Sequence, residues 1–191
     1  MSTHLDIVGS IILAGMLMLS IARFNADRQA ALITVSSQSS NQMYMESATS
    51  LLMFDLRKAG YRVNAGNAFL LCEPRRMVFR GDLENDGSVD TVEYVWRGAV
   101  NYTPNPNDTL LWRFVNQPGA MSTISSNTTG SDLGIVNIRF RYYTGTGAET
   151  TTPSAVRTVR VTMRVQSRYP VNNEFEEFST DFRVTPKNIG L

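Results

Sequence analysis

The chain carries 18 basic and 17 acidic side chains over 191 residues, a formal net charge of +1, so charge alone supplies no reason to expect nucleic acid or a strongly acidic partner. Its one cysteine, Cys72, excludes an intramolecular disulfide framework. The length suits one globular domain plus an appendage, with about 130 residues after Gly60 for the domain.

Asp6 to Gly60 reads as one long helix whose two halves differ in character. Ile7 to Ala22 has no charged residue. That run is slightly shorter than the ~17–25 residues that cross a bilayer comfortably, and it extends through Phe24 if Arg23 snorkels to the interface. Membrane insertion is the expectation, with a buried core helix as the alternative. No Lys or Arg precedes the run, whereas Arg23 and Arg28 follow it, an arrangement that the positive-inside rule sets against a cytoplasmic N-terminus. The residues before Asp6 also lack the basic region of a secretory signal.

Between Thr34 and Asn41, β-branched and hydroxyl residues crowd together, and their weak helix propensity predicts a bend or a locally melted joint. The helical signal returns at Met45. Met45, Ala48, Leu52, Leu56 and Ala59 recur at spacings of three and four and so line one face. Gly60 stands where a C-cap glycine belongs, and Arg57 and Lys58 suit the negative end of the helix dipole.

After Tyr61 the period changes to two. Arg76–Arg80 and Val89–Trp96 read as strands of a hairpin joined by the turn-rich run Gly81 to Ser88, and Thr109–Val115 reads as another strand. Met121 to Gly134 lacks periodicity and is expected to be loop. Ile135–Tyr143, Ala155–Arg168 and Glu174–Val184 form the clearest strand region; in the middle one Val159, Val161, Met163 and Val165 alternate with polar residues. The pattern is α+β, a long N-terminal helix whose C-terminal half packs on an antiparallel β-sheet head. Residues 1–44 are expected to be a membrane-inserting or filament-core stem and residues 45–191 the globular head.

The sharpest local motif is Asp82-x-Glu84-x-Asp86-Gly87-Ser88-x-Asp90-x-x-Glu93. Oxygen ligands at relative positions one, three, five, nine and twelve, with glycine at six, are what a calcium loop requires. The flanks alternate like strands, however, where an EF-hand has helices, and the other reading is a hairpin turn that needs no metal because Asp, Asn and Gly favour turns. Calcium is the one cofactor the sequence suggests, and a calcium-dependent binding module on a single-pass anchor is the rival function.

Catalytic signals are lacking. His4 is the only histidine and falls outside the expected folded region, and Cys72 sits among Leu70, Leu71 and Pro74 as a buried structural thiol would. Trp96, Trp112, Phe114, Tyr142 and Tyr143 fall on strand patterns and suit core or sheet surface. The expectation is a non-enzymatic protein. Asp6 stands apart, since a carboxylate bordering an apolar membrane segment needs a partner in low dielectric. With Met1 removed, Ser2 becomes N-terminal, Asp6 becomes the fifth residue, and the free amine of a neighbouring subunit can pair with it. The alternative is that Asp6 marks the helix start in the headgroup region.

Three stretches together resemble the type IV pilin superfamily, especially PilW-like minor pilins and the pseudopilins of type II secretion. These are the apolar stem with Asp6, the helix end Phe54-Asp55-Leu56-Arg57-Lys58-Ala59-Gly60-Tyr61, and the tail from Phe182 to Leu191. The resemblance implies a single-pass subunit held in the inner membrane with an extracytoplasmic head, or assembled into an extracellular type IV-like filament or secretion pseudopilus. Its implied partners are other pilin-like subunits and the membrane. It also implies that Asp6 is an assembly residue, matching the acidic fifth position that pairs with a neighbour's N-terminal amine. The acid is Asp where the family has Glu, and neither a basic leader nor a Gly-Phe junction precedes it, so prepilin-peptidase cleavage is not expected.

Overall fold

The computed structural model describes residues 2–99, 103–117, 120–124, 134–167, 170 and 173–189. It divides into two compact units, Met1–Ser39 and Ser40–Leu191. One helix, α1 (Ser2–Lys58), supplies all of the first and the opening of the second. Its backbone is helical through Thr34–Asn41, so the expected locally melted joint does not form. Propensity differences of a few tenths of a kcal/mol per residue are outweighed by the cooperativity of a long helix. His4 likewise lies within α1.

The second unit is a sheet with a helix on one face. The strands are β1 (Phe69–Cys72), β2 (Arg76–Gly81), β3 (Asp90–Ala99), β4 (Thr109–Gln117), β5 (Ala120–Ile124), β6 (Gly134–Tyr143), β7 (Thr158–Gln166) and β8 (Glu177–Val184). They form one antiparallel sheet in the order β1-β2-β3-β4-β6-β7-β8, with β5 also on β4. β5 and β6 share one edge of β4: β5 takes the Arg113–Gln117 end, and among the described residues β6 meets it at Thr109. The expected loop from Met121 to Gly134 is therefore strand up to Ile124, while residues 125–133 lie outside the described residues. β1 went unforeseen because Phe69-Leu70-Leu71-Cys72 is apolar throughout and too short to show a period.

The core is built by period. Val159, Val161, Met163 and Val165 of β7 are all fully buried, facing the same side as Phe79, Tyr94, Phe140 and Phe182. Onto that face comes the helical stripe, with Leu52, Leu56 and Ala59 buried and Met45 and Ala48 packed at its margin. Asn41 is buried and Tyr44 also packs against the core, so head packing reaches N-terminal to Met45. An aromatic row, Phe69–Phe79 at 6.0 Å and Phe79–Tyr94 at 6.5 Å between ring centroids, runs beneath the helix end.

Two glycines let the helix end and the sheet meet. Gly60 takes a left-handed φ of +82° and a Cβ there would lie 2.6 Å from the Asn188 carbonyl oxygen. Gly81, ending β2, passes so close to the last helical turn that a Cβ would sit 2.3 Å from the Lys58 carbonyl oxygen. The Gly60 N–H donates to the Arg80 carbonyl at 2.8 Å, joining the helix cap to the strand backbone.

Candidate functional site

Three places hold the residues that chemistry could use: the apolar part of α1, the buried carboxylate Asp55, and the turn between β2 and β3. In the first unit, Asp6–Leu32 is long and apolar enough to cross a membrane, and the most apolar window in it has no buried residue. At 1.5 Å rise its 27 residues extend ~40 Å, more than a hydrocarbon core of ~30 Å. Ile11, Leu13, Met16, Leu17 and Met18 are each 65–73% exposed. Consecutive apolar residues put hydrocarbon on every side of the helix, where a surface helix would show one stripe. The buried-core alternative does not hold in this chain. Asp6 is exposed one turn into the helix, and the first turn contains no acidic residue.

Asp55 anchors a buried polar trio in the head. It lies on the sheet-facing side of α1 one residue before Leu56, and its side chain is fully buried. The Tyr94 hydroxyl donates to Oδ2 at 2.6 Å, Arg113 Nε donates to the same oxygen at 2.6 Å, and Arg113 Nη2 donates to Oδ1 at 3.1 Å. The fork-on-carboxylate geometry fixes both the rotation of the helix and its position along β3 and β4. Burial, and then the neighbouring Asp55 charge, push the Tyr94 hydroxyl well above its ordinary range, so it stays a donor. Burial opposes the Arg113 charge, but the Asp55 bonds outweigh it and hold the guanidinium protonated. The sequence offered a faint signal for this trio, an acid inside an otherwise apolar helical face.

The β2–β3 turn disperses its acids. Asp82 is buried: Oδ2 accepts from Arg62 Nη1 and the Gly87 N–H, each at 3.0 Å, and Oδ1 accepts from the Asp86 N–H at 3.2 Å. Burial works against its charge, yet these amide bonds and Arg62 win, so the carboxyl titrates below the ordinary range. Asp90 Oδ2 accepts from the Leu83 N–H at 3.1 Å, closing the base of the turn. Asp86 Oδ1 accepts from the Ser88 N–H at 2.7 Å, with Asn85 and Gly87 at positive φ. Glu84 is exposed, and Glu93 is carried out along β3 to pair with Arg76 at 2.7 Å. Asp82, Asp86 and Asp90 thus hold backbone amides in place, and among the described residues no three acids, histidines or cysteines come together as a metal-binding group. Lys58 Nζ joins the turn to the helix end, donating at 2.8 Å to both the Leu83 carbonyl and Asn85 Oδ1.

The remaining candidates are packing residues. Cys72 is buried, and burial pushes its thiol up to about 12, leaving it protonated at neutral pH. Tyr142 is buried with its hydroxyl on the Glu73 carbonyl, and Trp112 stacks on Phe114 at 6.0 Å on the outer face.

A helix that is apolar and exposed in its first part, and that packs its later part on one antiparallel sheet, defines the type IV pilin-like fold. The chain matches a type IV-like pilin from Thermus thermophilus with a TM-score of 0.53 and 14% sequence identity, over 78% of this chain and 97% of that one. At that identity the likeness is one of fold. No protein-family model matches the chain, and no curated protein matches it.

Proposed function

We propose that the chain is a structural, pilin-like subunit that assembles through its apolar N-terminal helix with other pilin-like subunits. The observation that carries this is the exposure of hydrocarbon on all sides of Asp6–Leu32 in a chain with the pilin-like fold. Such a helix needs an apolar surrounding, which a bilayer supplies before assembly and a bundle of like helices supplies within a filament. In this reading the subunit is held in the inner membrane with its head outside the cytoplasm, then drawn into a type IV-like filament or a secretion pseudopilus as a minor component. Asp6, moved from headgroup to filament core, pairs with the N-terminal amine of a neighbour, which offsets the desolvation of both charges.

The head's part in this reading is to stay rigid. Asp55–Arg113–Tyr94 and the Lys58 bonds to the turn fix the helix end against the sheet. Asp6→Ala is expected to lower the amount of chain in sheared filaments severalfold while leaving membrane content and head folding unchanged. Unchanged incorporation would remove Asp6 from the mechanism.

A further inference from the structure

The two ends of the strand order, β1 and β8, differ. β1, at one end, is four residues long, carries a register shift between Phe69 and Leu71, and is followed by Pro74 two residues on. These features protect an edge against strand addition. β8, at the other end, pairs among the described residues with β7 alone, runs eight residues in unbroken register from Val184 to Glu177, and contains no proline.

The direction of its free peptide groups follows from one bond. Ser167 N–H donates to the Glu176 carbonyl at 2.8 Å, in the same ladder as Gln166↔Glu177. Peptide groups of even-numbered residues therefore face β7, and those of Glu177, Ser179, Asp181 and Arg183 face outward. The side chains of these four are all exposed, and they read acid, hydroxyl, acid, base along the edge. Edge charges usually repel a second strand, but this order is complementary to itself when reversed.

We propose that β8 is a self-association edge, pairing antiparallel with β8 of a second copy in the register that sets Glu177 opposite Arg183 and Ser179 opposite Asp181. Thr180 then lies on the two-fold axis. Neighbouring registers are selected against: one step of the ladder away, the register centred on Ser179 sets Glu177 opposite Asp181 and the one centred on Asp181 brings two carboxylates face to face, and two steps away the one centred on Phe182 gives Arg183 an Asp181 held by Arg160 through Nε at 2.8 and 3.1 Å, closer than the single 3.4 Å contact of Arg164 with Glu177. In the proposed register Arg183, which lies over the Tyr143 ring at 5.1 Å in its own chain, gains Glu177 of the second copy. The pairing closes at two copies, so it goes beyond stem-driven assembly, which must propagate. It joins subunits in pairs and does not extend one filament.

The test is disulfide trapping of the full chain in membranes with Cys72→Ala and one new cysteine. Facing residues at a non-hydrogen-bonded antiparallel pair have Cα atoms ~4.5 Å apart, within disulfide reach. Thr180→Cys is expected to give a covalent dimer on mild oxidation, severalfold more than Ser179→Cys or Asp181→Cys. Glu177→Arg should cut the Thr180→Cys dimer severalfold, and adding Arg183→Glu should restore it; both positions are exposed, and the Arg164–Glu177 pair that is lost is a surface pair of little weight in folding. No dimer at Thr180, equal dimer at all three positions, or no recovery in the double reversal overturns the proposal. The readout is independent of filament formation, so the outcome for Asp6 does not bear on it.

Discussion

Replacing Asp55 by alanine is expected to be the most damaging single change in the head. It deletes the acceptor of three hydrogen bonds, at 2.6, 2.6 and 3.1 Å, and leaves the Arg113 guanidinium, whose side chain is only 13% exposed, without its counter-charge. Removing one member of a buried ion pair costs ~3–5 kcal/mol because the survivor is stranded in low dielectric. Against a typical domain stability of ~5–15 kcal/mol, that loss brings the head close to unfolding at ambient temperature. Tyr94→Phe removes only one donor to a charged acceptor and should cost ~1.5–3 kcal/mol. Replacing both charges, as Asp55→Leu with Arg113→Met, should recover most of the loss, because no charge is then left buried. Urea unfolding of the full chain in mild detergent, followed by the fluorescence of Trp96 and Trp112, measures all three. An Asp55→Ala variant within ~1 kcal/mol of the parent would show that the trio does not fix the helix to the sheet and would refute this reasoning.

Other outcomes follow from the same contacts. Gly81→Ala should cost ~1–3 kcal/mol by the same unfolding measurement, since its Cβ would overlap the Lys58 carbonyl oxygen. Gly60→Ala adds left-handed strain of ~1–2 kcal/mol to its own close approach to Asn188 and should lower the melting temperature as well. Asp82 has a lowered carboxyl pKa in the folded chain, so its contribution is complete above the unfolded value of ~3.9 and lost as pH falls through the folded value. Asp82→Asn should therefore flatten the acid limb of melting temperature against pH between about pH 5 and pH 2. Because Asp82 and Asp90 already accept backbone amides, millimolar calcium should leave the melting temperature of the parent chain unchanged, and a rise of several degrees would show that the turn opens to take the ion.

What the sequence revealed depended on how many residues shared a signal. The apolar stem, the Met45–Ala59 stripe and the alternation along Val159–Val165 each repeat a pattern, and each appears in the fold as read. The cap at Gly60 was legible because one residue type suits left-handed geometry. Single pairings across long separations were not legible: Asp55 stands out only faintly, as an acid on an apolar helical face, and it finds Arg113 and Tyr94 only once the sheet has formed. The Asp-rich turn shows the converse. Its spacing matches a ligand pattern, yet side-chain bonds to backbone amides and the period-two flank that carries Glu93 to Arg76 draw its carboxylates apart. The continuity of α1 through Thr34–Asn41 shows how little local propensity decides inside a long helix.

Assembly through the stem is tested most directly on material from the native membrane, by imaging the sheared fraction in negative stain with gold-labelled antibody to the head and determining intact mass. Label along or at the end of filaments is expected, with a chain mass that places an acid at the fifth residue. A chain recovered only as a soluble monomer, with no label on filaments, would contradict it.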